Sequence, residues 1–153
     1  MGKAPINSNY DLVNSNPMID YDYYIPVVNG KTGETIPESY RQFGGADASD
    51  TSGILDNLSV RHGGIVGHSG EQTGGISLQG VGYGTKILET EIFASDDDGF
   101  KIKGGTFNAS RLAVFYPGDD SFDFDQGYNG QLQFLLSIHC LLYTSPSPRD
   151  LRK

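Results

Sequence analysis

Seven aspartates lie in two short stretches of the chain, close enough within each stretch to act together. Clustered carboxylates and turn carbonyls are the ligands that Ca²⁺ prefers, with about six to eight oxygens around the ion. Like charges held close together also need a cation, a proton or a hydrogen-bond donor between them. The sequence therefore predicts a weak calcium site, with a Kd of about 0.1–1 mM. Its candidate ligands are Asp96, Asp97, Asp98, Asp119, Asp120, Asp123 and Asp125.

The same carboxylates allow a second chemistry, the hydrolysis of a glycosidic bond by one carboxyl as acid and another as base. The strings SDDDG and GDD contain Asp98 and Asp119 and resemble the paired acidic motifs that polygalacturonases carry on adjacent β-helix coils. Such an enzyme also requires a histidine and a lysine or arginine on the following coils, and His139 lies 19 residues beyond Asp120. The catalytic alternative therefore uses Asp98, Asp119 and Asp120.

A third interpretation of the aspartates requires no ligand. Aspartate favours turns because its side chain hydrogen-bonds the neighbouring backbone, and exposed acidic groups keep a repetitive β protein soluble. Tyr116 and Tyr128 neighbour the acidic stretches, and their rings are candidates for stacking on sugar rings. Stacking within the fold explains both rings equally well. From the sequence, these interpretations stay open.

Short runs of alternating apolar and polar residues recur from Gly53 onwards, separated by Gly, Asn or Asp. Alternation with a period of two residues is typical of strands, and the region lacks the stripe of period about 3.6 that indicates a helix. We therefore predict an all-β structure. The runs are ILDNLSV (54–60), ISL (76–78), ILETEIF (87–93), FKI (100–102), RLAVF (111–115), FDF (122–124) and QLQFLLSI (131–138).

The predicted strands repeat at a regular interval. The triplet that begins at Ile76 is followed by one at Phe100, 24 residues later, and by one at Phe122, after a further 22 residues. Such a period without helices is typical of a solenoid, and a parallel β-helix with coils about 4.8 Å apart is the remaining candidate. We expect coils of 22–24 residues in which the apolar triplet residues face inward and Lys101 and Asp123 face outward.

Composition limits the function classes. The chain has 153 residues, the size of one domain, and its 11 basic and 19 acidic residues give a net charge of −8. Nucleic-acid binding requires a basic face, and binding to an anionic membrane surface requires a polybasic segment. We therefore expect neither partner. No apolar run approaches the about 18 residues of a transmembrane helix, and the one cysteine, Cys140, excludes a disulfide framework within the chain.

Three segments are predicted along the chain. Residues 1–52 are polar and form an irregular, loop-rich segment joined to the solenoid. Residues 53–139 form the β-helix coils, which we expect to be truncated. Residues 140–153 read CLLYTSPSPRDLRK, and 140–150 resemble a translated sequencing adapter. We therefore expect this tail to be an artefact that is excluded from the fold.

Two strings, SGILDNLSVRHGG (52–64) and the stretch from GGISLQG to GQLQF (74–134), carry a family resemblance. With their DDxF and GGTxN patterns, they resemble secreted and surface parallel β-helix proteins of Bacteroidetes. That group has no characterised function and includes lipoproteins and substrates of a C-terminal-signal secretion system. The resemblance implies a right-handed parallel β-helix outside the cell or on its surface, and it implies no catalytic residues.

These observations combine into one expected function. We expect a secreted or cell-surface protein, not an enzyme, that presents a repetitive face for binding polysaccharide or another surface and is stabilised by Ca²⁺. The first alternative is a polysaccharide-degrading enzyme on the same scaffold. The second is a purely structural surface protein.

Overall fold

The computed structural model describes residues 2–6, 19–21, 35, 42–66 and 72–140, and every extended regular element within them is a β-strand. Most of the predicted segment 1–52 and all of 141–153 lie outside the described residues. Among the residues described, no helix has the length and apolar character to cross a membrane. The strands are β1 (Ile19–Tyr21), β2 (Gln42–Gly44), β3 (Ile54–Asp56), β4 (Ser59–Arg61), β5 (Ile65–Val66), β6 (Gln72–Thr73), β7 (Ile76–Gln79), β8 (Lys86–Phe93), β9 (Phe100–Lys103), β10 (Asn108–Phe115), β11 (Phe122–Asp125) and β12 (Leu132–Ile138).

From β7 onwards the strands alternate between two parallel sheets. In one sheet β10 lies between β8 and β12, and β3 and β4 both pair with the other edge of β8. In the second sheet β9 lies between β7 and β11. Ile76 pairs with Phe100 and Phe100 with Phe122, so the register follows the sequence period. The prediction of an all-β structure with parallel strands is confirmed. Two small antiparallel pairs, β1 with β2 and β5 with β6, accompany the parallel sheets.

The hydrophobic core draws on both parallel sheets. In β9, Phe100 and Ile102 are fully buried whereas Lys101 and Lys103 are partly exposed, as strand alternation predicts. The rings of Phe100 and Phe122, which are paired in register, lie parallel to within 2°, with centroids 5.5 Å apart. The other buried members of the core are Leu78, Val81, Ile87, Ile92, Phe107, Ala109, Leu112 and Val114.

Left-handed backbone bends stack in columns across the strands. Glu89 and Arg111 both have positive φ at the same place in the register of β8 and β10. Asn57 and Phe134 occupy the equivalent positions in the neighbouring strands, and all four φ angles lie between +47° and +57°. This conformation costs an ordinary L-residue about 1–2 kcal/mol, and glycine and asparagine tolerate it best. The bend is therefore a property of the stacked strands rather than of each residue type. Two further columns are His62, Ala94, Tyr116 and Gly80, Gly104, Gln126.

In the described part of the chain, β12 is the outer strand of its sheet. Leu135 pairs in register with Leu112, but the exposed fraction of Leu135 is 42% whereas that of Leu112 is 1%. The difference follows from position, since Leu112 has a neighbouring strand on both sides and Leu135 on one. β12 therefore presents apolar residues that the inner strands bury.

Candidate functional site

Two acidic turns lie directly against each other beside the core. The first acidic turn (residues 94–99) connects β8 to β9, and the second acidic turn (residues 116–121) connects β10 to β11. The N–H of Gly118 donates a hydrogen bond of 2.9 Å to the carbonyl oxygen of Ser95, which joins the two turns. A Cβ atom on Gly118 would overlap the carbonyl oxygen of Asp96, so this close approach requires glycine. The two aspartate-rich stretches of the sequence are therefore in direct contact.

The buried carboxylate of Asp98 connects the two turns and a neighbouring strand. Its Oδ1 accepts a hydrogen bond of 3.2 Å from the backbone N–H of Asp120, and its Oδ2 accepts one of 2.7 Å from Lys101 Nζ. Lys101 Nζ also lies 3.3 Å from Asp123 Oδ2. Burial lowers the pKa of Lys101, but hydrogen bonds and charge from Asp98 and Asp123 outweigh it, so the pKa rises above its usual range. Lys101 is therefore a fixed cation within the acidic cluster.

Asp97 is the most deeply buried carboxylate of the cluster. Its exposed fraction is 2%, and its Oδ2 atom has no hydrogen-bond partner among the described residues. The closest cation, Lys101 Nζ, is 3.9 Å from that oxygen. Burial raises the pKa of Asp97, as do the charges of Asp98 and Asp119, against the opposing effects of the Asp98 N–H and of Lys101. Asp97, Asp98 and Asp119 each place one carboxylate oxygen within 4.8 Å of the others.

Asp119 and Asp120 are the solvent-facing carboxylates of the second acidic turn. Partial desolvation raises the pKa of Asp120, and the charges of Asp119, Asp98 and Asp123 raise it further, while His139 acts in the opposite direction. A carboxyl group with a raised pKa beside other carboxylates has the character of a proton donor. The turn therefore offers both hydrogen-bonding oxygens and a candidate acid to solvent.

Tyr116 opens the second acidic turn and exposes its ring. The exposed fraction of Tyr116 is 44%, and its ring lies edge-on to that of Phe93 with centroids 5.5 Å apart. The guanidinium of Arg61 lies 5.0 Å above the Phe93 ring on the neighbouring strand. The second acidic turn therefore exposes an aromatic ring as well as carboxylates.

The remaining candidates lie apart from this cluster. Tyr128 is half-buried in the connection after β11, where its hydroxyl donates a 2.8 Å hydrogen bond to the carbonyl oxygen of Phe107. Burial raises the pKa of Tyr128 to about 12. Asp125, at the far end of β11, accepts a hydrogen bond from the N–H of Gln126, and Asp96 is an exposed residue of the first acidic turn. The cluster thus contains Asp97, Asp98, Asp119, Asp120 and Asp123, and Tyr116 is the first residue of the second acidic turn.

Sequence reasoning missed two contributors to the site. Lys101 was expected only to face outward, although its register partner Asp123 is a cross-strand signal for an ion pair. The second contributor is a hydrogen-bonded group in which Ser121 Oγ lies 2.6 Å from Ser137 Oγ and 3.0 Å from His139 Nε2. The sequence indicated His139 as the histidine of the catalytic alternative, but serine alternates with apolar residues in many strands, so the sequence carries no signal for Ser121 and Ser137.

Two stacked parallel sheets with repeated turns define a parallel-β repeat protein. Residues 25–142 match the family model of the pectate-lyase-like β-helix domain. This match covers most of the chain, which therefore belongs to that family, and the prediction of a parallel β-helix family is confirmed. Comparison with curated proteins found no match. Comparison with solved structures found none either.

Proposed function

We propose that this chain is part of a secreted or cell-surface protein that binds a polysaccharide at the second acidic turn. One observation carries the proposal: the second acidic turn exposes the ring of Tyr116 and, three and four residues further along the chain, the carboxylates of Asp119 and Asp120. An exposed aromatic ring offers a flat apolar face to a sugar ring, and carboxylates accept hydrogen bonds from sugar hydroxyls. Membership in the pectate-lyase-like family supports a carbohydrate ligand.

Charge favours a neutral polysaccharide over an acidic one. The chain has a net charge of −8, and three carboxylates of the cluster, those of Asp97, Asp98 and Asp123, lie within 3.9 Å of the one ammonium group of Lys101. A polyuronate would bring further negative charge to this surface and would be repelled. We therefore expect the preferred ligand to carry hydroxyl groups without carboxylates.

Two further properties, the handedness of the β-helix and the location of the protein, are proposed on general grounds. We propose that the alternating strands wind as a right-handed parallel β-helix, because parallel crossover connections are right-handed in about 98% of cases. The family and its carbohydrate association support a location outside the cell. A crystal structure of the chain would show the winding directly.

The test is binding to polysaccharides by the full chain. Affinity electrophoresis through gels that contain a soluble neutral β-glucan, a mannan or polygalacturonate would identify the ligand, and calorimetry with matching oligosaccharides would give the affinity. We expect Tyr116→Ala to weaken binding about tenfold, which corresponds to about 1.4 kcal/mol. Tyr83→Ala is the matched control, since Tyr83 is 59% exposed on the connection between β7 and β8, away from the acidic turns. Equal losses in the two variants would contradict the proposal.

Hydrolysis of the bound polysaccharide is a second candidate function. The observation that favours it is the pair of adjacent solvent-facing carboxylates, Asp119 and Asp120, with His139 Nε2 3.0 Å from the Oγ of the next residue, Ser121. One carboxyl would protonate the leaving oxygen and the other would activate water or attack the sugar. Release of reducing ends from the polysaccharide that binds, lost in Asp120→Asn while binding is retained, would support this candidate. Binding without any release of product would exclude it.

A further inference from the structure

We infer that Asp97, Asp98 and Asp119 bind a hard divalent cation of the Ca²⁺ type where the two acidic turns meet. Each residue places a carboxylate oxygen within 4.8 Å of the oxygens of the other two. Of the seven aspartates that the sequence analysis named as candidate calcium ligands, the structure thus selects three. This inference does not depend on the proposed polysaccharide binding.

The buried oxygen of Asp97 is the independent observation that points to a cation. Asp97 belongs to the three-carboxylate group and is 98% buried, and its Oδ2 has no hydrogen-bond partner among the described residues. A buried polar atom in this state destabilises the fold, and more so when it is charged. A metal ion bound to Oδ2 satisfies the oxygen and its charge together.

The existing cation does not reach this oxygen. Lys101 Nζ lies 2.7 Å from Asp98 Oδ2 but 3.9 Å from Asp97 Oδ2. It also lies 3.3 Å from Asp123 Oδ2. One ammonium thus serves Asp98 and Asp123 closely and reaches Asp97 only at 3.9 Å, and no ion pair of Asp119 is found among the described residues. A second cation shared by Asp97, Asp98 and Asp119 would relieve the repulsion among their carboxylates.

The ligand set favours calcium over other common metals. Three aspartates offer only carboxylate oxygens, which suit hard cations, whereas zinc prefers sulfur and nitrogen ligands. Ca²⁺ accepts about six to eight oxygens in irregular arrangements, and Mg²⁺ demands a regular octahedron. Two buried ligands and one exposed ligand, Asp119, leave the outer side of the ion to water. Such a site fits the weaker Ca²⁺ class, with a Kd of about 0.1–1 mM.

The test is a titration of the full chain, freed of metal by a chelator, with CaCl₂ and separately with MgCl₂. Calorimetry would measure binding, and urea unfolding would measure its effect on stability. For a Kd of about 1 mM, 10 mM Ca²⁺ should shift the folding equilibrium about tenfold toward the folded chain. We expect Asp119→Asn to abolish both the heat and the shift. Because Asp119 is exposed, this variant is expected to fold, so a lost response reports on binding.

Asp96→Asn is the matched control, since it removes the same charge from an exposed position of the first acidic turn outside the three-carboxylate group. A Ca²⁺ response that survives in Asp96→Asn and is lost in both Asp119→Asn and Asp97→Asn supports the site. Equal weakening by Asp96→Asn and Asp119→Asn would show diffuse charge attraction and would overturn it. Absence of heat and of any stability change at 10 mM Ca²⁺ would overturn it as well.

Discussion

The carboxylate of Asp98 holds the backbone of Asp120, its counterpart one repeat later in the chain. Asp98 Oδ1 accepts the N–H of Asp120 at 3.2 Å, although equivalent positions in stacked turns would be expected to place one carboxylate over the other. The aspartate side chain thereby joins two turns instead of repelling its counterpart. The carboxyl group of Asp120 itself faces solvent. The acidic cluster therefore has a buried carboxylate that holds the turns together and an exposed one that can contact a ligand.

Removing the ammonium of Lys101 should destabilise the chain through Asp98. Lys101→Met keeps most of the side-chain volume but leaves the buried carboxylate of Asp98 without its cation. The loss of one partner from a buried ion pair costs about 3–5 kcal/mol, and the partial exposure of Lys101 places the expected loss near the lower bound. Urea unfolding followed by circular dichroism measures it. Lys103→Met, two residues along β9, should change the free energy of unfolding far less, and similar losses in both variants would refute the role of the pair.

The loss of unfolding free energy caused by an Ile→Ala substitution should depend on how deeply the isoleucine is buried. Ile102 is fully buried in β9, whereas Ile138 is 39% exposed in the outer strand β12. Ile102→Ala should lower the free energy of unfolding by about 2–5 kcal/mol through lost burial and a cavity. Ile138→Ala should lower it by less than about 1.5 kcal/mol, since less apolar surface is lost from the folded state. The same unfolding measurement compares the two, and a larger loss for Ile138→Ala would place the stabilising core elsewhere.

Relief of the left-handed bend should stabilise the chain at Phe134. This residue has a φ of +57° and a largely exposed ring. Phe134→Gly removes the left-handed backbone cost of about 1–2 kcal/mol, which exceeds the about 0.5–1 kcal/mol that glycine costs within a strand. The control is Gln133→Gly, an exposed neighbour in the same strand, where glycine should destabilise by about 0.5–1 kcal/mol. Thermal melting should move in opposite directions for the two variants, and destabilisation of both would contradict the strain at Phe134.

Alkaline pH should weaken the fold through Tyr128. Its pKa is raised from 10.0 to about 12 by burial, so the folded state holds its proton more tightly than the unfolded state. The contribution of this proton is fully present below pH 10 and is lost as the pH rises toward 12. Tyr128→Phe should flatten the decline over that interval relative to the parent chain. Below pH 10 the same variant should cost about 1 kcal/mol, because the carbonyl oxygen of Phe107 loses its hydrogen bond.

Much of the strand pattern could be predicted from the sequence because apolar triplets recur with glycine-bearing turns after them. β7, β9 and β11 begin where the triplets begin, at Ile76, Phe100 and Phe122. The run 54–60 was expected to be one strand, but it forms β3 and β4, separated by the bend at Asn57. Its hydrophobic alternation carries no information on φ. The bend is imposed by pairing with β8, which bends at the same level.

The site was less predictable than the strands. The spacing of aspartates indicated that two turns would stack, but it could not show that Asp98 and Asp97 point inward while Asp119 faces solvent. Those directions depend on the backbone of the turns, which Ala94 and Tyr116 enter through left-handed conformations. Neither residue type favours that conformation locally. Side-chain direction at the turns is therefore a tertiary property.

The two acidic turns have the same length, because both strands that each turn connects are offset by 22 residues from their partners. The opposite connections differ, with residues 80–85 between β7 and β8 and residues 104–107 between β9 and β10. One residue added to an acidic turn would move the next strand out of phase and exchange its inward and outward faces. The opposite connections already differ in length while the register is kept. We therefore expect insertions and deletions to be tolerated in the opposite connections, in evolution or in design. The two acidic turns, in contrast, fix the register of the strands that follow them.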